Sequence, residues 1–225
     1  MSSSPTLLDQ VIIPLINGKT VLDVGCGYGR WACLMHSNYW ESGLAKPPIV
    51  DGFDAFLPNV NFCSKMYCYH NVWHQKLPSE IKGKWDVVLA AEILEHIPQK
   101  DVEQTLDILE KAAKKRVIVS TPNWPAYRSG SETKFGYNKY EAHLSYVSRK
   151  YLKKRGYKIV SVGFANPNFW LIKILRFILG NNKKTNKSSS ESRLSKRRAF
   201  DLIPMLFPSL GHTIIAYKDI NEVSK

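Results

Sequence analysis

Residues 21–30 read VLDVGCGYGR, a short apolar run that leads through an acidic residue into three alternating glycines. The apolar run predicts a first β-strand, and the glycines predict a tight loop before a helix that begins near Arg30. Because glycine lacks a Cβ atom, such a loop turns sharply and lets a ligand lie against bare backbone. The unpaired N–H groups at the start of the helix favour a polar, carboxylate-bearing or nucleotide-like ligand.

The spacing of the glycines distinguishes this loop from a dinucleotide-binding loop. A dinucleotide fingerprint has its third small residue where this chain has Arg30, and the third glycine comes one residue early, at Gly29. Asp23 stands two residues before the first glycine, where its charge would repel a pyrophosphate but hold an ammonium group. The stretch VLDVGCGYGRWA resembles the cofactor loop of class I S-adenosylmethionine-dependent methyltransferases.

Strand-like and helix-like segments alternate along the rest of the chain. Apolar runs over residues 49–54, 85–91 and 116–120 predict buried strands of a parallel sheet. Apolar residues at helical spacing, up to Ala113, predict an amphipathic helix capped by Asp101. A short helix is expected over residues 7–16. This alternation is typical of an open sheet with helices on both faces.

The expected fold class is α/β, with a Rossmann-like doubly wound sheet. Residues 157–162 and 212–217 are predicted to form the last two strands. The resemblance implies seven strands, six of them parallel, with the last one antiparallel and inserted between strands five and six. Residues 1–225 are expected to form a single methyltransferase domain, since the length suits one domain with elaborations.

The resemblance assigns cofactor-binding roles to the ends of the first strands. Asp23 and the glycine loop would hold the methionine part of S-adenosylmethionine. Asp54 ends the second predicted strand, where an acidic residue accepts hydrogen bonds from ribose hydroxyls, with Asp51 as the alternative. Asn71 would flank the adenine. The predicted cofactor-binding residues are Asp23, Gly25, Cys26, Gly27, Gly29, Asp54, Asn71 and Ala91.

A polar cluster of Glu92, Glu95 and His96 follows the strand predicted over residues 85–91. Open α/β sheets bind ligands at this carboxyl edge. If residues 92–96 form one helical turn, the three side chains are neighbours that bind a divalent cation or activate a substrate hydroxyl.

The pattern E-x-x-E-H resembles two groups of methyltransferases. The O-methyltransferases of ubiquinone biosynthesis use it to hold magnesium, and the small-RNA 3′-terminal 2′-O-methyltransferases add a later histidine, for which His143 is suitably placed. The resemblance therefore implies Mg²⁺ on Glu92, Glu95, His96 and His143. The alternatives are a metal-free site with His96 as catalytic base or pocket-lining residue, and a turn that only packs.

The positive charge of the chain is concentrated near its end. The net charge is +13, and residues 181–198 hold seven basic residues and one acidic residue. An apolar run over residues 169–179 precedes them and is too short to span a bilayer, which needs about 20 residues. We expect a cap insertion over residues 165–210, with an apolar helix and a basic mobile loop. The helix either lies on an anionic membrane surface or packs as a lid, and the loop alternatively contacts RNA.

The cysteines and the first residues of the chain indicate the cellular compartment in which the protein is expected. The four cysteines contain no C-x-x-C pair and are expected to be reduced. The first residues lack a basic, apolar signal sequence. A cytoplasmic protein is expected, with a peripheral membrane location as the alternative.

The pattern as a whole predicts an S-adenosylmethionine-dependent methyltransferase that modifies a hydroxyl of a small, lipid-linked or glycan-linked acceptor. One alternative is an RNA 2′-O-methyltransferase with a divalent metal. The other is a non-catalytic cofactor-binding protein at a membrane, against which the glycine loop and its acidic partners argue.

Overall fold

A computed structural model describes residues 6–41, 46–164 and 208–220. The strands in these ranges are β1 (Thr20–Val24), β2 (Ile49–Asp54), β3 (Asn71–His74), β4 (Trp85–Ala91), β5 (Ala113–Pro122), β6 (Ser131–Thr133), β7 (Gly136–Asn138), β8 (Lys158–Phe164) and β9 (Gly211–Asp219). The helices are α1 (Asp9–Leu15), α2 (Arg30–Glu41), α3 (Leu57–Cys63), α4 (Val102–Ala112) and α5 (Arg149–Lys154).

Within the described ranges, seven strands form one sheet in the order β3–β2–β1–β4–β5–β9–β8. Pairs among β1 to β5 are parallel, whereas β9 runs antiparallel to both β5 and β8. The predicted fold class is therefore confirmed, including the insertion of the last strand between its two predecessors. The order reverses beside β1, so β1 and β4 diverge to opposite sides and open a crevice at their carboxyl ends.

The core consists of two apolar layers, one on each face of the sheet. Successive side chains of a strand point to opposite faces, so Val21 packs in one layer and Leu22 in the other. The layer with Val21 includes Ile12 of α1 and Met35 of α2, and the layer with Leu22 includes residues of α4 and α5. Both faces are covered, as the near-continuous apolar runs of the strands require.

The predicted elements agree with the structure except at their ends. The helix expected over residues 7–16 is present as α1, and α2 begins at Arg30 as predicted. Two predictions about α4 were wrong. Ala113 has extended backbone and begins β5, and Asp101 makes no side-chain capping bond, although it stands at the N-cap. At both ends of α4, strand pairing and side-chain packing determine the helix boundary, which helix propensity alone does not define.

The cap predicted over residues 165–210 lies outside the described residues, apart from a 3₁₀ turn over Pro208–Leu210. The apolar run over residues 169–179 and the basic segment over residues 181–198 belong to that part. Among the helices that are described, none is long and apolar enough to cross a bilayer.

Candidate functional site

A cleft of about 480 Å³ opens at the carboxyl ends of β1, β2 and β4. Its walls are the glycine loop, the residue that ends β2, the turn after β4, and a segment between β5 and α5. This is the edge at which the sequence predicted ligand binding. The volume lies within the range of small-molecule sites, about 300–1,000 Å³.

The glycine loop forms one wall, and its glycines serve different purposes. A Cβ atom on Gly25, which has φ of 70°, would lie 2.1 Å from Cδ1 of Ile93, so the Ile93 side chain would have to move to admit it. Gly27 also has positive φ, at 54°, but an added Cβ would approach nothing closer than 4.0 Å. Its open side therefore leaves the backbone accessible to a ligand. Gly25, Cys26 and Gly27 line the cleft, whereas Gly29 is buried against Met66.

Asp54 fastens the glycine loop to the end of β2. Its Oδ2 accepts hydrogen bonds from the Gly27 N–H at 2.9 Å and from the Asn59 amide at 3.2 Å, and its Oδ1 accepts one from the Phe56 N–H at 2.7 Å. Burial raises the pKa of this carboxyl, and the three hydrogen bonds oppose that shift. Asp54 lines the cleft where a ribose acceptor was predicted, whereas Asp51 bonds to the Trp85 indole at 2.8 Å.

Asp23 lies beneath the glycine loop and not on the cleft wall. Its side chain is 1 % exposed, its Oδ2 accepts a hydrogen bond from the Tyr69 hydroxyl at 2.6 Å, and burial raises its pKa to about 7. Its Oδ1 has no partner among the described residues. Asp23 is thus bonded to Tyr69 and does not line the cleft, and its direct contact with an ammonium group stays a prediction.

Asn71 is not among the residues that line the cleft, and its role beside the adenine stays a prediction. It begins β3 at the amino-terminal end of the strand, and its exposed side chain bonds to Asp51 at 3.0 Å. Gln75 and Leu77, which follow the carboxyl end of β3, line the cleft instead. Counting to the end of the strand, where parallel sheets bind ligands, would have identified them.

The turn after β4 differs from the predicted helical turn. Ala91 ends β4 on the cleft wall, and Glu92 has φ of 57°, which excludes it from a helix. Its N–H donates to the carbonyl and hydroxyl oxygens of Ser120, each at 3.0 Å, and the Ser120 hydroxyl donates to its Oε1 at 2.8 Å. Such backbone costs about 1–3 kcal/mol, and strain of this kind clusters at functional sites.

His96 ends the following 3₁₀ turn, Leu94–His96, and lines the cleft. Its Nδ1 lies 3.0 Å from the carbonyl oxygen of Ala142, so Nδ1 carries the proton and Nε2 has a free lone pair. Burial first, and the charge of Arg128 second, lower the pKa of His96. His96 is therefore a neutral imidazole that can accept a proton.

His143 packs against His96, with ring centroids 5.0 Å apart at 75°. Burial, Arg128 and His96 together lower its pKa to about 4. Glu95 is 3 % exposed, its Oε2 has no partner among the described residues, and burial raises its pKa well above the usual range. Ligand atoms of Glu95, His96 and His143 lie within 4.8 Å of one another, a group that does not include Glu92.

A further wall of the cleft is a ribbon of β6 and β7, which the sequence did not predict. Lys134, at the tip of the ribbon, lies 3.8 Å from the ring centroid of Phe62 and 4.7 Å from that of Tyr28. Phe135 packs against the same two rings. The ribbon is thus held against the glycine loop and α3, so part of the cover comes from the segment after β5.

Arg128 also lines the cleft and was overlooked in the sequence, because no motif surrounds it. A bridge joins its backbone to that of His143, whose N–H donates to the Arg128 carbonyl at 3.0 Å.

Residues 6–162 match a family model described as a methyltransferase domain. No curated protein matches the chain significantly.

Solved structures share the fold at low sequence identity. An S-adenosylmethionine-dependent methyltransferase from Archaeoglobus fulgidus is 19% identical, with 94% of this chain and 90% of that chain covered and a TM-score of 0.53. Magnesium protoporphyrin IX methyltransferase from Synechocystis PCC 6803, solved with bound SAH, is 15% identical, with coverages of 95% and 82% and a TM-score of 0.51. A plantazolicin methyltransferase in complex with SAH is 14% identical, with coverages of 96% and 81% and a TM-score of 0.51.

Proposed function

Because the chain belongs to this methyltransferase domain family, we propose that it transfers the methyl group of S-adenosylmethionine to a hydroxyl group of a small acceptor, with His96 as general base. The observation that carries the proposal is the free Nε2 of a neutral imidazole on the wall of the same cleft that contains the glycine loop. Because proteins of one fold have many activities, the activity is inferred here from the residues of the site.

The cofactor would lie along the glycine loop. Gly25, Cys26 and Gly27 would approach the methionine part, for which the open side of Gly27 leaves room. Asp54 would accept hydrogen bonds from the ribose hydroxyls. Gln75 and Leu77 would flank the adenine in place of Asn71. Ala91, at the end of β4, would lie beneath the cofactor.

The reaction would be an in-line displacement at the methyl carbon. The acceptor oxygen forms a bond to that carbon as its bond to sulfur breaks, which leaves S-adenosylhomocysteine. The hydroxyl proton passes to Nε2 of His96, and the Ala142 carbonyl, which accepts from Nδ1–H, stabilises the resulting imidazolium. The protein contributes chiefly by holding acceptor and cofactor in line and excluding water.

The predicted magnesium site is a poor fit to the residues that the structure brings together. Two imidazoles and one carboxyl supply nitrogen as well as oxygen, whereas Mg²⁺ prefers oxygen ligands alone. Arg128 adds a positive charge close enough to lower the pKa of both imidazoles. We therefore assign no step to a metal, and the metal role of Glu92, Glu95, His96 and His143 stays a prediction.

A small acceptor suits the cleft better than a polymer. The cavity is the size of a small-molecule site and is covered in part by the ribbon of β6 and β7. The membrane alternative depends on residues 165–207, which lie outside the described residues. The RNA alternative depends on the same basic segment and also on the E-x-x-E-H pattern and His143, and it stays a prediction. A lipid-linked or glycan-linked acceptor and a cytoplasmic location stay predictions.

The test is methyl transfer from methyl-labelled S-adenosylmethionine into an extract of the source organism. We expect label in small molecules with the wild type and with His70→Gln, a control at an exposed histidine, and a loss of at least 100-fold with His96→Gln. Label that becomes soluble on nuclease treatment would favour the RNA alternative. Equal activity of His96→Gln and the control would exclude His96 as the base.

A further inference from the structure

Arg128 is a charged side chain on the cleft wall with little to hold it. Its side chain is 45% exposed, and its Nη2 lies 3.4 Å from Oε2 of Glu141, at the outer limit of a hydrogen bond. In the described part of the chain this is the one side-chain partner of a guanidinium that has five N–H donors. Arg128 lines the cleft, and most of its hydrogen-bonding capacity has no protein partner among the described residues.

The backbone holds Arg128 beside the proposed base. His143 N–H bonds to the Arg128 carbonyl at 3.0 Å, and the next two residues donate to the Glu95 carbonyl at 2.7 and 3.1 Å. His96 bonds to Ala142 in the same segment. The Arg128 backbone and the His96 imidazole are therefore bonded to one short stretch, and both side chains line the same cleft.

Neighbouring side chains make few direct contacts with this arginine. Glu92 and Glu95 lie close enough for the charge of Arg128 to lower the pKa of both, but among the described residues neither is hydrogen-bonded or ion-paired to it. The other cations on the wall are placed over aromatic rings: Lys134 over Phe62, and Lys76 and Lys139 over Tyr140. Arg128 has no such ring contact among the described residues.

A filled cleft makes the unbalanced charge costly. Water solvates the guanidinium while the cleft is open, but an acceptor that enters beside His96 displaces that water. A neutral acceptor would displace part of that water without replacing its hydrogen bonds to the guanidinium, which is unfavourable. A carboxylate or phosphate would pair with the planar guanidinium through two parallel hydrogen bonds.

We propose that the methyl acceptor is an acidic hydroxy compound whose carboxylate or phosphate binds Arg128 while its hydroxyl faces His96. Arg128 is then a specificity-determining residue, and the inference rests on the proposed methyl transfer. The charged group stays unmodified, because the methyl group goes to the hydroxyl oxygen and the proton to His96. The product therefore keeps its negative charge.

The experiment measures the charge of the labelled product. Wild-type protein is incubated with methyl-labelled S-adenosylmethionine and a small-molecule extract of the source organism, and the mixture passes over an anion exchanger at pH 8. Unused cofactor is cationic and flows through. We expect the labelled product to be retained. Phosphatase treatment then separates the two sources, since a phosphate product loses retention and a carboxylate product keeps it.

Variants connect the retained product to Arg128. We expect kcat/KM for the purified acceptor to fall on the order of 100-fold in Arg128→Gln, mainly through KM, and less in Arg128→Lys. Arg149→Gln, at the start of α5 and away from the cleft, is the control. Cofactor affinity should be unchanged in all three variants.

A labelled product that flows through the exchanger would overturn the inference while leaving the methyl transfer intact. So would equal kcat/KM for Arg128→Gln and Arg149→Gln. A product in which the carboxylate itself carries the methyl group would contradict both the inference and the proposed hydroxyl acceptor. The absence of labelled product from any extract would instead contradict the proposed function on which the inference rests.

Discussion

The substitution Gly27→Ala tests whether glycine is needed at this position for ligand binding or only for its backbone conformation. Gly27 has φ of 54°, and a Cβ atom there would approach nothing closer than 4.0 Å. The folded chain therefore has room for the methyl group, which would project into space assigned to the cofactor. Gly156, just after α5, has φ of 87°, and its nearest neighbour to an added Cβ is the Lys218 side chain at 3.8 Å. It is the control, because it also has positive φ, has space for the added Cβ and is not among the residues that line the cleft.

The two substitutions should cost similar stability. An L-residue in the left-handed region costs about 1–2 kcal/mol. For a chain of this length that corresponds to a fall in Tm of about 2–8 °C. Thermal unfolding without ligand should show this loss in both variants.

Cofactor binding should differ between them. A methyl group in occupied space costs about 1–3 kcal/mol, which corresponds to about 5- to 150-fold weaker binding of S-adenosylmethionine by Gly27→Ala. Gly156→Ala should bind like the wild type. Calorimetric titration measures both. Wild-type affinity in Gly27→Ala would refute the placement of the cofactor against this loop.

Three further outcomes are expected. Because the pKa of His96 is lowered, kcat/KM should fall as the pH drops through a value below the ordinary 6.5 and stay constant at higher pH. A fall in kcat/KM centred above pH 7 would exclude His96 as the base. Chelation with EDTA should leave methyl transfer unchanged, whereas a loss that added Mg²⁺ or Zn²⁺ restores would show that Glu95, His96 and His143 bind a required metal. Lys134→Ala removes a cation–π contact worth about 0.5–1 kcal/mol, so the cofactor should be released about 2- to 5-fold faster. Stopped-flow measurement checks this against Lys100→Ala as the control. Unchanged release in Lys134→Ala would contradict the expectation.

Patterns local to the chain predicted the sheet and the glycine loop. The apolar runs of β1, β2, β4 and β5 are long enough to identify buried strands, and alternation with helices leaves few topologies. Asp54 was identified because the end of β2 is set by its own apolar run. These features are determined by residues that are close together in the sequence, so local patterns are enough to predict them.

Features that depend on distant residues were not predictable in this way. The positive φ of Glu92 is held by Ser120, 28 residues along the chain, so no local pattern shows it. The ribbon of β6 and β7 has strands of three residues, too short for an alternating pattern. Arg128 becomes relevant only because its backbone pairs with that of His143.

The most direct test of the division of roles in the cleft is calorimetric titration of S-adenosylmethionine into Asp54→Ala and His96→Ala. Asp54 holds the Gly27 N–H at 2.9 Å and faces the proposed ribose position, so its loss removes charged hydrogen bonds worth about 1.5–3 kcal/mol each. We expect at least 10-fold weaker binding by Asp54→Ala and near wild-type binding by His96→Ala, with methyl transfer lost in the latter. Equal losses of affinity in the two variants would contradict the assignment of Asp54 to the cofactor and His96 to the acceptor.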